Sequence, residues 1–264
     1  MSGRQFAVPL LLILLAAGLV AFLALPLVSI FLGAPPGEIL AALGDPELIR
    51  SLVVTFTAAI LATGLGMLGG VPLAYLLARQ SFPGKRLVEG LVDLPVVVPH
   101  TAAGIALLMV FGSKGILGEP MASLGIFFTD QLAGIVVAML FVSAPFLVNM
   151  SREAFALVDR ELELTALVEG ASPWGAFWHV SLPLAWRGVI SGAMMMWARG
   201  VSEFGAVVIL AYYPKIVPTL IYELFNGYGL SAARPAAALM ILVVLVVFGM
   251  LRWLAVKSSA DVAG

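Results

Sequence analysis

Three observations predict an all-α integral membrane protein with six transmembrane helices. Hydrophobic residues make up 62% of the 264 positions and charged residues only 11%, where soluble domains carry roughly 25% charge. The apolar runs reach about 20 residues or more, the length a helix needs to cross a bilayer, and are not the short alternating strands of a barrel. The polar segments between them are short, and none is large enough for a soluble catalytic domain.

The first apolar run, Phe6–Leu32, is too long for a signal-peptide core and reads as an uncleaved span. The turn signals of Gly33–Arg50 (A-P-P-G, then G-D-P) lead to a second span, Ser51–Ala78. Ala62, Gly66 and Gly70 recur there at four-residue intervals, with Thr63, Gly64 and Gly69 beside them. Small residues at that spacing let helices approach closely. The third span, Leu87–Gly112, contains Asp93, Pro95, Pro99 and His100. Two prolines remove backbone donors and restrict the residues before them, so this helix is expected to kink or break. Ser113–Gln131 suits a short interfacial helix before the fourth span, Leu132–Met150. The fifth span, Trp186–Tyr213, carries Arg199, Ser202 and Glu203; Arg199 and Glu203 are four residues apart, a spacing that pairs opposite charges along one helix face. Pro214–Arg234 holds Tyr222, Phe225 and Tyr228, residues suited to a membrane interface, before the sixth span, Pro235–Val256.

Lysine and arginine set the expected orientation. With the N-terminus inside, Arg4, Arg79, Lys85, Arg86, Arg152, Arg160, Arg187, Arg252 and Lys257 face the cytoplasm, against Arg50, Lys114, Lys215 and Arg234 outside. That asymmetry favours N-in and C-in. The sequence divides accordingly into a first helix with its outer loop (1–50), a core (51–254) and a short cytoplasmic tail (255–264). There are no cysteines, so disulfides, thiolate metal sites and cysteine nucleophiles are excluded. His179 reads as a helix-surface residue, and no metal site is expected.

The most informative stretch is cytoplasmic: Arg160–Pro183, R-E-L-E-L-T-A-L-V-E-G-A-S-P-W-G-A-F-W-H-V-S-L-P. It reads as helix, stop, helix. Gly170 is suited to the left-handed position that ends the first helix. Ser172 can cap a second helix with Pro173 at its first position. Trp174, Phe177 and Trp178 then share one face, an aromatic surface built to be gripped by a partner.

The spacing of Gly170, Val180, Leu182 and Pro183 resembles the cytoplasmic loop of ABC-importer permeases, E-A-A-x3-G-x9-I-x-L-P. The E-A-A positions are Leu164, Thr165 and Ala166, with Glu163 one residue early. The resemblance extends to Gly70–Arg79, Phe82–Arg86, Asp93–Gly104, Ala198–Ala206 and Gly229–Pro235. Within that family the chain is most similar to the molybdate/tungstate permeases, with sulfate permeases next. The resemblance implies a type I importer permease fold in the cell membrane. It also implies a second copy of this chain, two cytoplasmic P-loop ATPase subunits and an extracytoplasmic substrate-binding protein as partners. No nucleic acid is expected among the partners. ATP and Mg would be bound by the ATPase, since this chain lacks a G-x-x-x-x-G-K-[ST] phosphate loop, and no cofactor is expected here.

Coupling to the ATPase is then expected from Glu163, Thr165, Ala166, Glu169, Gly170, Ala171, Ser172, Pro173, Trp174, Phe177, Trp178, Leu182 and Pro183. The displaced glutamate shifts the expected weight onto the Gly170 break and the aromatic helix. Asp93, Pro95, Pro99, His100, Arg199, Ser202 and Glu203 are expected along the pathway or at its gate, although packing alone also accounts for a kinked third helix and a locked ion pair. Arg199 is not expected to form a full anion site, because Glu203 neutralises it. Two other readings stay open: a permease for sulfate, thiosulfate or another anion, and an intramembrane enzyme. The enzyme reading lacks a nucleophile elbow, paired intramembrane aspartates or clustered ligands.

Overall fold

The computed structural model describes residues 10–260. Among them the chain is helical, in the order α1 (Leu10–Gly33), α2 (Pro36–Ala42), α3 (Pro46–Arg79), α4 (Lys85–Val97), α5 (His100–Phe111), α6 (Gly118–Ser123), α7 (Leu132–Leu157), α8 (Arg160–Val168), α9 (Pro173–Ala176), a π turn (Phe177–Ser181), α10 (Leu182–Val201), α11 (Val207–Leu210), α12 (Val217–Tyr228) and α13 (Leu230–Ala260). The expected start of the first span at Phe6 lies outside the described residues. α13 runs on to Ala260, into the stretch expected as a tail.

Among the described residues, four helices are long and apolar enough to cross a membrane: α1, α3, α7 and α13. The bent pair α4 and α5 makes a fifth crossing if it is counted as one. α10 has 20 residues, enough to span the hydrocarbon at 1.5 Å per residue, with Arg187 and Arg199 near its ends. With the bent pair and α10 counted, six crossings fit the chain, and two differ from the expected continuous helices.

The third span is broken into two helices, and its axis bends by 117° at the break. The bend falls at Val98, whose extended backbone (φ −70°, ψ 132°) is what the following Pro99 demands. The fifth span starts earlier and stops sooner than Trp186–Tyr213. It continues from α9 through the π turn, and its helix ends at Val201. Beyond it, Glu203 is 1% exposed and caps the amide of Ala206 at 2.8 Å, which turns the chain off the helix axis before α11.

α7 is the central helix, packed along both α3 and α10. Its Ile135, Ala138, Met139 and Leu147 are completely buried. Small residues set the separations. Gly66 faces Met196 and Leu140, Gly70 faces Leu147 and Val148, and Gly188 sits on Ala154. Gly64 and Gly69 instead face open space and lie off the Ala62–Gly66–Gly70 stripe. α1 has no buried residue and touches α13, where Arg234 donates to the Gly33 carbonyl.

The core falls into two apolar clusters. One joins α3, α7, α11, α12 and α13 around Ile135, Met139, Leu210, Ile216 and Leu239. The other joins α3, α7, the π turn and α10 around Leu77, Leu147, Phe155, Phe177 and Met196. At the end of the bundle near the first cluster, Lys215 lies 2.7 Å from Glu47 and 2.8 Å from Glu223. Those hydrogen bonds, the one to Glu223 first, hold the lysine well above its ordinary pKa, and the same bond holds Glu223 below the usual carboxylate range. The contribution of Glu223 to stability is lost only as pH falls through its lowered pKa, and that of Lys215 only as pH rises through its raised one. This clasp therefore holds across neutral pH.

Candidate functional site

The Arg160–Pro183 segment folds as its local signals dictate. Asp159 caps α8 by accepting from the Glu161 amide at 2.9 Å. α8 closes in a Schellman motif: the Ala171 amide reaches the Ala166 carbonyl at 2.9 Å and the Gly170 amide reaches that of Leu167 at 3.1 Å. Gly170 has φ +97°, in the region open to glycine. Ser172 accepts from the Gly175 amide at 3.0 Å and Pro173 opens α9. Thr165 bonds back to the Glu161 carbonyl at 2.8 Å, and His179 is exposed, with Nδ1 3.0 Å from the Gly175 carbonyl.

The aromatic face is divided. Trp174, Phe177 and Trp178 do meet, with ring centroids 5.4–5.6 Å apart. Phe177, however, is only 4% exposed, against 64% for Trp174 and 48% for Trp178. Phe177 points inward to Tyr75 of α3 (4.9 Å) and Phe155 of α7. The two tryptophans remain outside. With the exposed Leu164, Leu167 and Val168 of α8 they form an apolar surface on a polar segment, the signature of a docking face.

Glu163, one residue from the E-A-A position, anchors the segment to the bundle. Glu163 and Arg79 are buried, each side chain 9% exposed, and Oε1 lies 2.8 Å from both Nε and Nη2 of Arg79. The same oxygen accepts from the Ser181 hydroxyl at 2.7 Å, and the Tyr75 hydroxyl lies 3.5 Å from Oε2. Arg79 Nη2 also donates to the Val158 carbonyl at 2.8 Å. One carboxylate thus joins the end of α3, α8 and the π turn, and through Arg79 the chain between α7 and α8. Glu163 faces into the molecule, so it positions the segment and does not form part of its outer surface. Arg79, Tyr75 and Ser181 were not picked out as site residues. Arg79 stands 84 residues from its partner, and a last-turn arginine is ordinary on sequence grounds.

The remaining segment residues frame this clasp: Thr165, Glu169, Gly170, Ala171, Ser172 and Pro173 are exposed around the turn, while Ala166 and Leu182 are half-buried and Pro183 is exposed at the start of α10.

The pathway candidates fall into two places. Asp93 is exposed and accepts from the Asn149 amide of α7 at 2.6 Å, while Arg152 and Glu89 pair nearby at 3.2 Å. These contacts fasten α4 to α7. Pro95 is buried within α4, and Pro99 caps α5. His100, Arg199 and Glu203 converge instead at the α5/α10 junction: Glu203 Oε2 lies 2.9 Å from Arg199 Nη2 and 2.9 Å from His100 Nδ1, with Ser202 Oγ 3.3 Å from Arg199 Nη1. Among the described residues, no group of three acidic or histidine side chains is placed to hold a metal ion.

Residues 70–258 match the family described as binding-protein-dependent transport system inner membrane component. A molybdate/tungstate transport system permease protein of Thermococcus kodakarensis is 47% identical over 92% of this chain and 94% of its own length. A probable sulfate transport system permease protein of Chlorokybus atmophyticus is 35% identical over 72% of this chain and 68% of its own. Among solved structures, a bacterial ABC transporter involved in the import of the acidic polysaccharide alginate aligns over 94% of this chain and 95% of its own, with a TM-score of 0.69 at 18% identity. That last likeness is one of fold.

Proposed function

Because the chain belongs to the family of binding-protein-dependent transport system inner membrane components, we propose that it is the permease of an ATP-driven importer for a tetrahedral oxyanion, molybdate or tungstate. It is a multi-pass inner-membrane subunit of an ABC importer, and it is non-catalytic. The substrate reading is supported by the higher identity and fuller coverage of the molybdate/tungstate relative over the sulfate one.

The single observation that carries the coupling reading is the braced cytoplasmic segment. An exposed apolar face, Trp174 and Trp178 with the leucines of α8, sits on a turn that the buried Glu163–Arg79 pair ties to a membrane-spanning helix. A surface that transmits force needs both parts, a face for a partner and a rigid link behind it. In this reading two copies of the chain form the pathway, with residues 51–254 as its core. The segment meets a separate P-loop ATPase on the cytoplasmic side, and an outer binding protein delivers the anion. ATP, held with Mg by the ATPase, binds one conformation of the complex more tightly and so shifts the spans between inward- and outward-open states. Asp93, Pro95 and Pro99 belong to the wall of that pathway. His100, Arg199 and Ser202 line it at the α5/α10 junction, above the buried Glu203.

Reconstitution tests this reading. The chain, its co-purifying ATPase and the binding protein encoded with it are placed in proteoliposomes with external radiolabelled tungstate, molybdate or sulfate. ATP-dependent accumulation of tungstate and molybdate in preference to sulfate is expected. Accumulation of sulfate alone overturns the substrate assignment, and accumulation of each anion without ATP overturns the importer.

A further inference from the structure

Two interrupted helices meet where three ionisable side chains converge. α5 begins at His100 and α10 ends two residues after Arg199. Glycines bring the backbones together: a Cβ on Gly205 would fall 2.7 Å from that of His100, and one on Gly104 would fall 3.0 Å from the Ala206 carbonyl. Neither junction tolerates a side chain, so the geometry of the cluster is fixed by the fold.

The three groups are not equally accessible. The Glu203 side chain is 1% exposed, Arg199 24% and His100 38%. The anion is sealed beneath and the donors face outward. Glu203 Oε1 is held by the Ala206 amide at 2.8 Å, and Oε2 is shared between Arg199 and His100 Nδ1. Arg199 Nη2 also lies 2.9 Å from both ring nitrogens of His100. With a proton on Nδ1 the imidazole donates to Glu203, and its Nε2 faces the guanidinium. Asp93, on the preceding helix, is engaged by Asn149.

A buried carboxylate stripped of its partners is strongly destabilising. Here Glu203 keeps two donors, the Ala206 amide and His100 Nδ1, even when Arg199 turns away. Arg199 is the one member that is both partly exposed and replaceable. Its guanidinium carries several donors in a planar fork suited to oxyanions, and Ser202 stands beside it. Neutralisation by Glu203 therefore does not exclude anion binding, because the carboxylate has another donor in reserve.

We propose that Arg199 is a transferable ligand for one tetrahedral oxyanion: it exchanges Glu203 for the anion on its exposed side, with Ser202 assisting, while His100 holds Glu203 in its place. This rests on the importer reading and assigns to it a way-station within the pathway. Glu203 sets the affinity by competing for Arg199, and so keeps the site weak enough to release its anion.

The test is equilibrium dialysis of radiolabelled tungstate, with sulfate as a second probe, against the assembled permease–ATPase complex without the binding protein. Wild type binds. Arg199→Lys, which keeps a cation beside Glu203 and so preserves the fold, weakens binding about tenfold through loss of the fork. Glu203→Gln removes the competing charge and tightens binding about tenfold, a direction that damage to the fold does not produce. Unchanged affinity in both variants, weaker binding in Glu203→Gln, or no binding of either anion to wild type overturns the proposal. Tungstate uptake by wild-type proteoliposomes is followed in parallel. Uptake with binding indifferent to Arg199 defeats the way-station and leaves the importer standing. Sulfate uptake without tungstate uptake defeats the substrate reading, and the sulfate arm of the dialysis then decides the site.

Discussion

Replacing Glu163 with alanine is expected to separate ATP hydrolysis from transport while the transmembrane bundle stays folded. The substitution leaves Arg79 buried with the Val158 carbonyl as its remaining acceptor, and leaves Ser181 with a 3.4 Å contact to the Ala176 carbonyl. Breaking a buried pair from one side costs about 3–5 kcal/mol. The penalty falls on the junction of α3, α8 and the π turn, where the contacts of the pair lie. The measurement is uptake per ATP hydrolysed in reconstituted complexes, and a drop of at least about tenfold is expected. A compensating variant separates positioning from direct contact. Replacing Glu163 with Leu, Arg79 with Met and Ser181 with Ala together substitutes an apolar brace of similar volume, which is often neutral or stabilising at buried pairs. If Glu163 acts by holding the segment, this triple variant recovers coupling. If the carboxylate itself meets a partner, coupling stays lost.

Gly170→Val is expected to have the second-largest effect. At φ +97° a β-branched residue is strained, although a Cβ there would meet nothing within 4 Å. The penalty is therefore purely conformational, about 1–3 kcal/mol. Relief comes by opening the Schellman motif, which swings α9 and the two exposed tryptophans away from α8. Uptake per ATP is expected to fall by roughly 5- to 150-fold, the range such an energy spans. Gly170→Asn, which tolerates positive φ better, is expected to lose much less. Equal loss in both variants would point to a need for the bare backbone rather than for the turn.

Legibility in the sequence followed the range of the interactions. The helix–stop–helix was readable because each signal is local: Gly170, Ser172 and Pro173 act within a few residues of themselves. The break at Pro99 was readable for the same reason, but its 117° angle was not, since that depends on how α5 packs against the chain after α10. The early end of α10 depends on Gly205 facing His100 and on Glu203 capping Ala206, neither visible as a helix-stop pattern. Helical spacing grouped Trp174, Phe177 and Trp178 correctly, yet could not say that Tyr75 and Phe155 would draw Phe177 inside. The burial of Glu163 was not legible. A motif offset by one residue says nothing about burial, and its partners Arg79 and Ser181 are brought to it only by the fold.

The central claim is that the exposed face of this segment docks on a separate ATPase. A photo-crosslinking residue placed at Trp174, which is 64% exposed, tests it in native membranes. The account predicts one major adduct, with a P-loop ATPase chain, strengthened or weakened when ATP is supplied. Adducts confined to lipid or to a second copy of this chain, in membranes where the intact importer is active, would contradict it.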